Sequence, residues 1–178
     1  MAQMQPGGDS PFAMLVRPRT DDDLDALERI AGAVQQLDGY PPYLPAGLRS
    51  FVADEAMAAW VVEVDGVVAG HVALHERSSG PVMALAADAT GRPPERLSVV
   101  ARLLVHPDLR RQGVGRALVS VAAGAAAERG LWPVLDVGVR FAGAIALYER
   151  CGWARAGRVT VRVGEFTLEE FVYVAPVG

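Results

Sequence analysis

One stretch of the chain combines residue types that can hold a phosphate group. It begins with three apolar residues typical of a strand and continues through a basic turn with two glycines into the start of a helix. The residues are Leu103, Leu104 and Val105 in the strand, and Arg110, Arg111, Gln112, Gly113, Val114, Gly115 and Arg116 in the turn and helix start. Backbone amides at a helix start lack intrahelical acceptors, the helix dipole is positive there, and glycine lets a ligand approach closely. Because the arginines add positive charge, the pattern predicts a site for a multiply phosphorylated ligand.

The composition restricts the other chemistry that the chain can perform. All 17 basic residues are arginine, since the sequence contains no lysine, and it contains no asparagine either. A Walker-type phosphate lysine and a Schiff-base lysine are therefore excluded. The net charge of −4 argues against a nucleic-acid-binding protein, because such proteins usually carry a broad basic face. The single cysteine, Cys151, cannot form a disulfide within the chain.

The length of 178 residues is suited to one domain. We expect residues 1–11 to form a disordered polar tail and residues 12–178 to form a single domain. The most apolar helical stretch, residues 117–127, is too short to span a bilayer, so we expect no membrane contact and a cytoplasmic location. The acidic residues 21–23 follow Thr20 and predict the start of a helix, and no metal site is expected.

Hydrophobic periodicity predicts a mixed α/β fold. A strand at residues 12–16 and a helix after Thr20 come first, followed by a hairpin about Asp65 and Gly66 and then by a parallel crossover of strand, helix and strand. We predict strands at 60–64, 67–75, 97–105, 132–137, 153–163 and 167–174, and helices at 46–58, 113–129 and 141–150. Between them, residues 77–96 form a long insertion, with a short helix over 82–89, whose length is typical of a binding loop.

A dinucleotide-binding Rossmann unit is the first alternative for the glycine turn, and it would make the chain an NAD-dependent oxidoreductase. In that fingerprint the glycines follow the strand almost at once, and a third glycine packs the helix against the strand. Here residues 106–112 intervene, and Leu118 stands where the third glycine would be. The spacing therefore argues against this alternative.

The spacing of these residues fits a second family motif better than the dinucleotide-binding fingerprint. Val105-His106-Pro107 is followed by Arg110-x-x-Gly113-x-Gly115-Arg116-Ala117-Leu118, and residues 144–153 form a helix with Tyr148 that ends in Gly152 and Trp153. These two ordered motifs resemble those of the GNAT superfamily of acetyl-CoA-dependent N-acetyltransferases. The resemblance covers residues 12–174 and implies a central mixed sheet of about seven strands with flanking helices.

The resemblance also implies an activity and roles for the residues of the first motif. The backbone of residues 103–105 would pair with the pantetheine arm of acetyl-CoA, the amides of residues 111–116 would hold the pyrophosphate, and Arg110 and its neighbours would supply charge. An acetyl group would pass to a primary amine of a small molecule or peptide by direct attack through a tetrahedral intermediate. Tyr148 would be the acid that protonates the departing thiolate, and a homodimer is compatible with the family.

The general base stays open, as does the acceptor. Many family members carry a Glu early in the strand before the turn, whereas residues 98–101 contain no carboxylate, and Phe141 stands where Asn is frequent. Candidate bases are His71, His75, Glu76, Asp136 or water. The missing carboxylate also keeps open a non-catalytic acyl-CoA-binding sensor or interaction module. Cys151 as an acyl-carrying nucleophile is the weaker enzymatic mechanism, and the aromatic residues Tyr40 and Tyr43 suggest an apolar or aromatic acceptor.

Overall fold

A computed structural model describes residues 12–44 and 46–176, and the expected N-terminal tail, residues 1–11, lies outside this part of the chain. The strands of the described part are β1 (Met14–Pro18), β2 (Ala58–Val64), β3 (Val67–His75), β4 (Leu97–Val105), β5 (Trp132–Gly138), β6 (Ala154–Val163) and β7 (Phe166–Val174). The helices are α1 (Leu24–Asp38), α2 (Gly47–Ala53), α3 (Gly80–Thr90), α4 (Val114–Glu128) and α5 (Ala142–Arg150). The seven strands form one mixed sheet, which confirms the predicted α/β fold class.

The strand order of the sheet is β1-β2-β3-β4-β5-β7-β6. Strands β1 to β4 pair antiparallel, α4 connects the parallel strands β4 and β5, and β7 lies between β5 and β6. Alternating side chains face opposite layers: Val61 packs below α1 and α2, whereas Val62 packs against the layer of α4 and α5. Both predicted hairpins and the crossover are present.

Two predicted segments differ from the structure. Helix α2 ends at Ala53, earlier than expected, and Asp54 after it has an extended backbone. Most of the expected insertion is occupied by α3, because Val82, Met83 and Ala86 are buried against the sheet instead of belonging to an open loop. None of the described helices has both the length and the apolar composition needed to cross a bilayer.

The feature that positions the functional site is the separation of β4 from β5. The two strands pair over three residues only, with Leu97, Ser98 and Val99 aligned with Trp132, Pro133 and Val134. Beyond this point β4 remains paired with β3, and β5 remains paired with β7. A bulge in β4 at Arg102, whose φ is 56°, accompanies the separation. A wedge-shaped opening therefore lies between the carboxyl-terminal halves of the two strands.

Candidate active site

The opening between β4 and β5 is part of a cleft of about 1800 Å³. Leu103 and Val105 line it, whereas the Leu104 side chain is only 1% exposed and packs in the core below α1. Because β5 has turned away, the edge of β4 beyond Val99 has no strand partner on this side. Its backbone amides and carbonyls face the cleft side of the sheet, where an extended ligand can pair with them as an added strand would.

The turn after β4 leads directly into α4 and presents unpaired amides. Gly113 is the N-cap of α4 with φ of 85°, and a side chain added there would meet nothing within 4 Å. Among the described residues, no acceptor is found for the amides of residues 111–116. The predicted anion site thus has the expected local geometry, since these amides lie at a positive helix end.

The other residues of the turn hold its shape. A Cβ on Gly115 would lie 2.9 Å from Leu147 Cδ2, so glycine lets the start of α4 pack closely against α5. Val114 is buried in the core at 1% exposure, and Gln112 Nε2 donates to the Asp108 carbonyl at 3.3 Å. Gln112 and Val114 are placed to offer a ligand their backbone amides.

The three arginines of the motif all line the cleft. Arg111 and Arg116 are exposed, and the described residues contain no ion-pair partner for either of them. Arg110 differs, because its Nη2 lies 2.5 Å from Asp38 Oδ2 at the end of α1. The pairing fixes the position of Arg110 and partly neutralises its charge, which the sequence motif did not indicate.

Tyr148 lies in the cleft wall on α5. Its side chain is 6% exposed, and its ring packs 6.3 Å from the ring of Trp153 and 6.2 Å from that of Tyr173. Its hydroxyl makes no hydrogen bond within the described part of the chain. Burial, with smaller effects from Tyr40 and Asp136, raises the pKa of Tyr148 well above its usual value of 10.0. The phenol therefore keeps its proton at neutral pH and can donate it.

Two of the candidate bases, His71 and Glu76, lie outside the cleft. His71 is fully buried and does not line the cleft; its Nδ1 lies 2.8 Å from the Arg102 carbonyl, and burial lowers the pKa of its imidazole to about 4. His75 does line the cleft, and burial also lowers its pKa. Glu76 is exposed outside the residues that line the cleft. Of the two candidate histidines, only His75 reaches the cleft, because His71 lies deeper in the core.

The fourth candidate, Asp136, belongs to a pair of carboxyl groups that sequence reasoning missed. In the β5–β7 ladder Asp136 is opposite Val172 and Gly138 is opposite Glu170, so Asp136 and Glu170 are diagonal neighbours on one face. Burial and, after it, the nearby Asp136 carboxyl group raise the pKa of Glu170 to about 8, so Glu170 keeps its proton at neutral pH. Ser78 Oγ donates to Asp136 Oδ1 at 2.9 Å.

Aromatic side chains form the wall beside this carboxyl pair. Tyr40 makes edge-to-face contacts with Phe51 at 5.8 Å and with Phe141 at 5.5 Å between ring centroids. Tyr43 packs against Phe166, at the start of β7, at 5.8 Å. Tyr40, Asp136 and Glu170 all line the same cleft. Burial raises the pKa of Tyr40, with an opposing effect from Arg102 and smaller contributions from the two carboxyls. The cleft thus joins the amide-rich turn before α4, a protonated phenol, a carboxyl pair and an apolar wall.

Cys151 also lines the cleft, where it is partly buried. Burial raises the pKa of its thiol, although Arg116 and Arg150 oppose the effect. Because the thiolate is the nucleophilic form, the site disfavours Cys151 as an acyl carrier.

Comparison with known proteins agrees with this geometry. The model of the acetyltransferase (GNAT) family matches residues 24–153. The chain is 34% identical to the mycothiol acetyltransferase of Kineococcus radiotolerans over 143 aligned residues. The alignment covers 78% of this chain but only 41% of that relative. The chain therefore spans about two fifths of the length of this curated relative.

Solved structures show the same fold at low sequence identity. The ribosomal-protein-S18-alanine N-acetyltransferase from Escherichia coli superposes with a TM-score of 0.64, at 19% identity, over 92% of this chain and 94% of that one. A putative acetyltransferase from Salmonella typhimurium, solved with acetyl-CoA, gives a TM-score of 0.60, at 20% identity, over 91% and 92%. These matches and the largely antiparallel sheet argue against the NAD-dependent oxidoreductase. The chain belongs to the acetyltransferase (GNAT) family.

Proposed function

We propose that this protein transfers an acetyl group from acetyl-CoA to a primary amine of a small molecule or peptide. One observation carries the proposal: the unpaired edge of β4, the amide-rich start of α4 and the Tyr148 hydroxyl all meet in a single cleft. Each part suits a different requirement of acetyl transfer, and their sharing one cleft favours an enzyme over a module that only binds acyl-CoA.

The donor side of the cleft has groups suited to acetyl-CoA. The pyrophosphate would be held by the amides of residues 111–116, with charge from Arg111 and Arg116, and the pantetheine arm would pair with the backbone of residues 103–105. The missing asparagine at Phe141 does not remove these contacts, since they come from backbone groups. When bound, acetyl-CoA supplies the acetyl group as a thioester.

The proton transfers fall to side chains on two sides of the cleft. Asp136 accepts a proton from the acceptor ammonium, because its carboxylate lines the cleft and is oriented by Ser78. The free amine then attacks the thioester carbonyl, which forms the carbon–nitrogen bond, and the attacking nitrogen loses its second proton to solvent. Tyr148 donates its proton to the sulfur as the carbon–sulfur bond breaks, so one proton is released overall. Solvent then restores the proton to Tyr148 and removes the one taken up by Asp136.

The test combines binding and turnover with the full chain. Calorimetric titration is expected to show binding of acetyl-CoA and no binding of NADH. Thiol release measured over a panel of primary amines is expected to rise above the rate of acetyl-CoA hydrolysis for at least one amine. Binding of acetyl-CoA without amine-stimulated turnover would instead identify a non-catalytic sensor.

The proposal extends to the organisation of the protein. It places the activity in one domain, residues 12–178, in the cytoplasm, with a homodimer as the candidate assembly. Sedimentation analysis tests the assembly, and cell fractionation tests the location.

A further inference from the structure

We infer that the acceptor is an amine with one positive charge on an apolar or aromatic body and without a carboxylate beside the amine, selected by the Asp136–Glu170 pair and the aromatic wall. This inference rests on the proposed acetyl transfer. It concerns the part of the cleft opposite the phosphate-binding turn, where the family motifs assign no residue.

The negative charge of the Asp136–Glu170 pair has no cationic partner among the described residues. No arginine or histidine among the described residues forms an ion pair with Asp136 or Glu170, although both carboxyls are half-buried in the cleft. By contrast, the neighbouring Asp54 is paired with Arg102 at 2.8 Å. Partly buried charges are normally compensated, so a ligand ammonium is the group that completes this site.

The amount of charge indicates a single ammonium. Asp136 and Glu170 are diagonal neighbours on the sheet, and burial beside Asp136 keeps Glu170 protonated at neutral pH, so the pair presents one carboxylate instead of two. Three other acidic residues line the cleft, and each is engaged by an arginine: Asp38, Asp54 and Glu169. The cleft therefore matches a monoamine better than a polyamine.

The walls determine the rest of the acceptor. Tyr40, with Phe51 and Phe141, offers ring faces and edges to an apolar body, and an ammonium beside such rings gains cation–π attraction. An α-carboxylate would lie within a few ångströms of the same ammonium and would face the negative pair. Arg77 and Arg140 also line the cleft, but neither is paired with Asp136 or Glu170, and Arg140 donates to the Gly39 carbonyl at 2.9 Å. A free amino acid is therefore disfavoured relative to its decarboxylated amine.

The experiment compares kcat/KM for four acceptors at one pH: 2-phenylethylamine, phenylalanine, phenylalanine amide and ethylamine. We expect 2-phenylethylamine to exceed phenylalanine and ethylamine by about tenfold or more, and the neutral amide to exceed phenylalanine. Equal use of phenylalanine and its amide, or of ethylamine and 2-phenylethylamine, would overturn the inference. Absence of transfer to any amine would overturn the proposed function itself, and the inference with it.

Variants of the wild-type enzyme add a second readout. Glu170→Gln removes one of the two carboxyl groups at nearly constant volume. At about pH 9, where the raised pKa of about 8 leaves wild-type Glu170 ionised, we expect this variant to reduce the ratio between 2-phenylethylamine and phenylalanine while leaving the KM for acetyl-CoA unchanged. Glu165→Gln, at the exposed turn between β6 and β7, is the matched control and is expected to keep the wild-type ratio. An unchanged ratio in Glu170→Gln would contradict a role for Glu170 in selection. If that variant does not fold, the four-acceptor comparison in the wild type still decides the inference.

Discussion

Replacing Tyr148 by Phe tests the proton donor with little structural disturbance. The ring that packs against Trp153 and Tyr173 is retained, and the hydroxyl that is removed has no hydrogen-bond partner among the described residues. We therefore expect the free energy of unfolding to change by less than about 1 kcal/mol. A general acid contributes about 10²–10⁴ in rate, but a thiolate with a conjugate pKa of about 8.5 needs less assistance than an alkoxide. We expect kcat to fall about 10- to 100-fold, equivalent to about 1.4–2.7 kcal/mol.

The assay is steady-state thiol release with saturating amine, together with calorimetric binding of acetyl-CoA and a thermal melt. Tyr173→Phe is the matched control, because the Tyr173 hydroxyl donates to Glu149 at 2.8 Å and accepts from Arg155 at 2.9 Å but does not line the cleft. That variant is expected to lose about 1–2 kcal/mol of stability and to keep its kcat. A kcat within twofold of the wild type in Tyr148→Phe would refute the assignment of Tyr148 as the acid.

Three further predictions concern packing, pH and the thiol. Gly115→Ala is expected to push Leu147 into the cleft and to raise the KM for acetyl-CoA. The control Gly124→Ala, on the open side of α4, is expected to leave this KM unchanged and to raise Tm. Equal KM values in the two variants would contradict the predicted effect of Gly115→Ala. Because the folded state raises the pKa of Glu170 from 4.5 to about 8, it binds a proton that the unfolded chain releases, so stability falls as pH rises between these values. The Tm of Glu170→Gln relative to wild type should therefore increase across that range, and a constant difference would contradict the linkage. Cys151→Ala is expected to retain kcat within about twofold, since burial keeps the thiol protonated, and a tenfold loss would restore it as a nucleophile.

The geometry of the turn before α4, where we propose that acetyl-CoA binds, was predictable from the sequence because it depends on residues close along the chain. The amides of residues 111–116 are unpaired because these residues precede and begin a helix. The apolar strand residues and the two glycines that define this turn lie close together along the chain. Tyr148 was singled out only through the resemblance of residues 144–153 to the family motif, since helical spacing alone predicts a tyrosine packed in the core. The helix predicted over 82–89 agrees with α3 within two residues at either end, since Pro81 in its first turn and Gly91 after Thr90 are local start and stop signals.

The part of the cleft where we propose that the amine acceptor binds depends on contacts between residues far apart in the chain, which the local sequence pattern does not predict. A hairpin of β6 and β7 was predicted, but only the insertion of β7 between β5 and β6 brings Glu170 beside Asp136. Similarly, the pairing of Arg110 with Asp38 requires α1 to end beside the phosphate-binding turn. The sequence alone thus determined the family, the strand and helix pattern and the binding turn, because these follow from residues close along the chain. The tertiary structure decided which distant carboxyls and aromatic rings meet, because strand order and the separation of β4 from β5 are set by long-range packing.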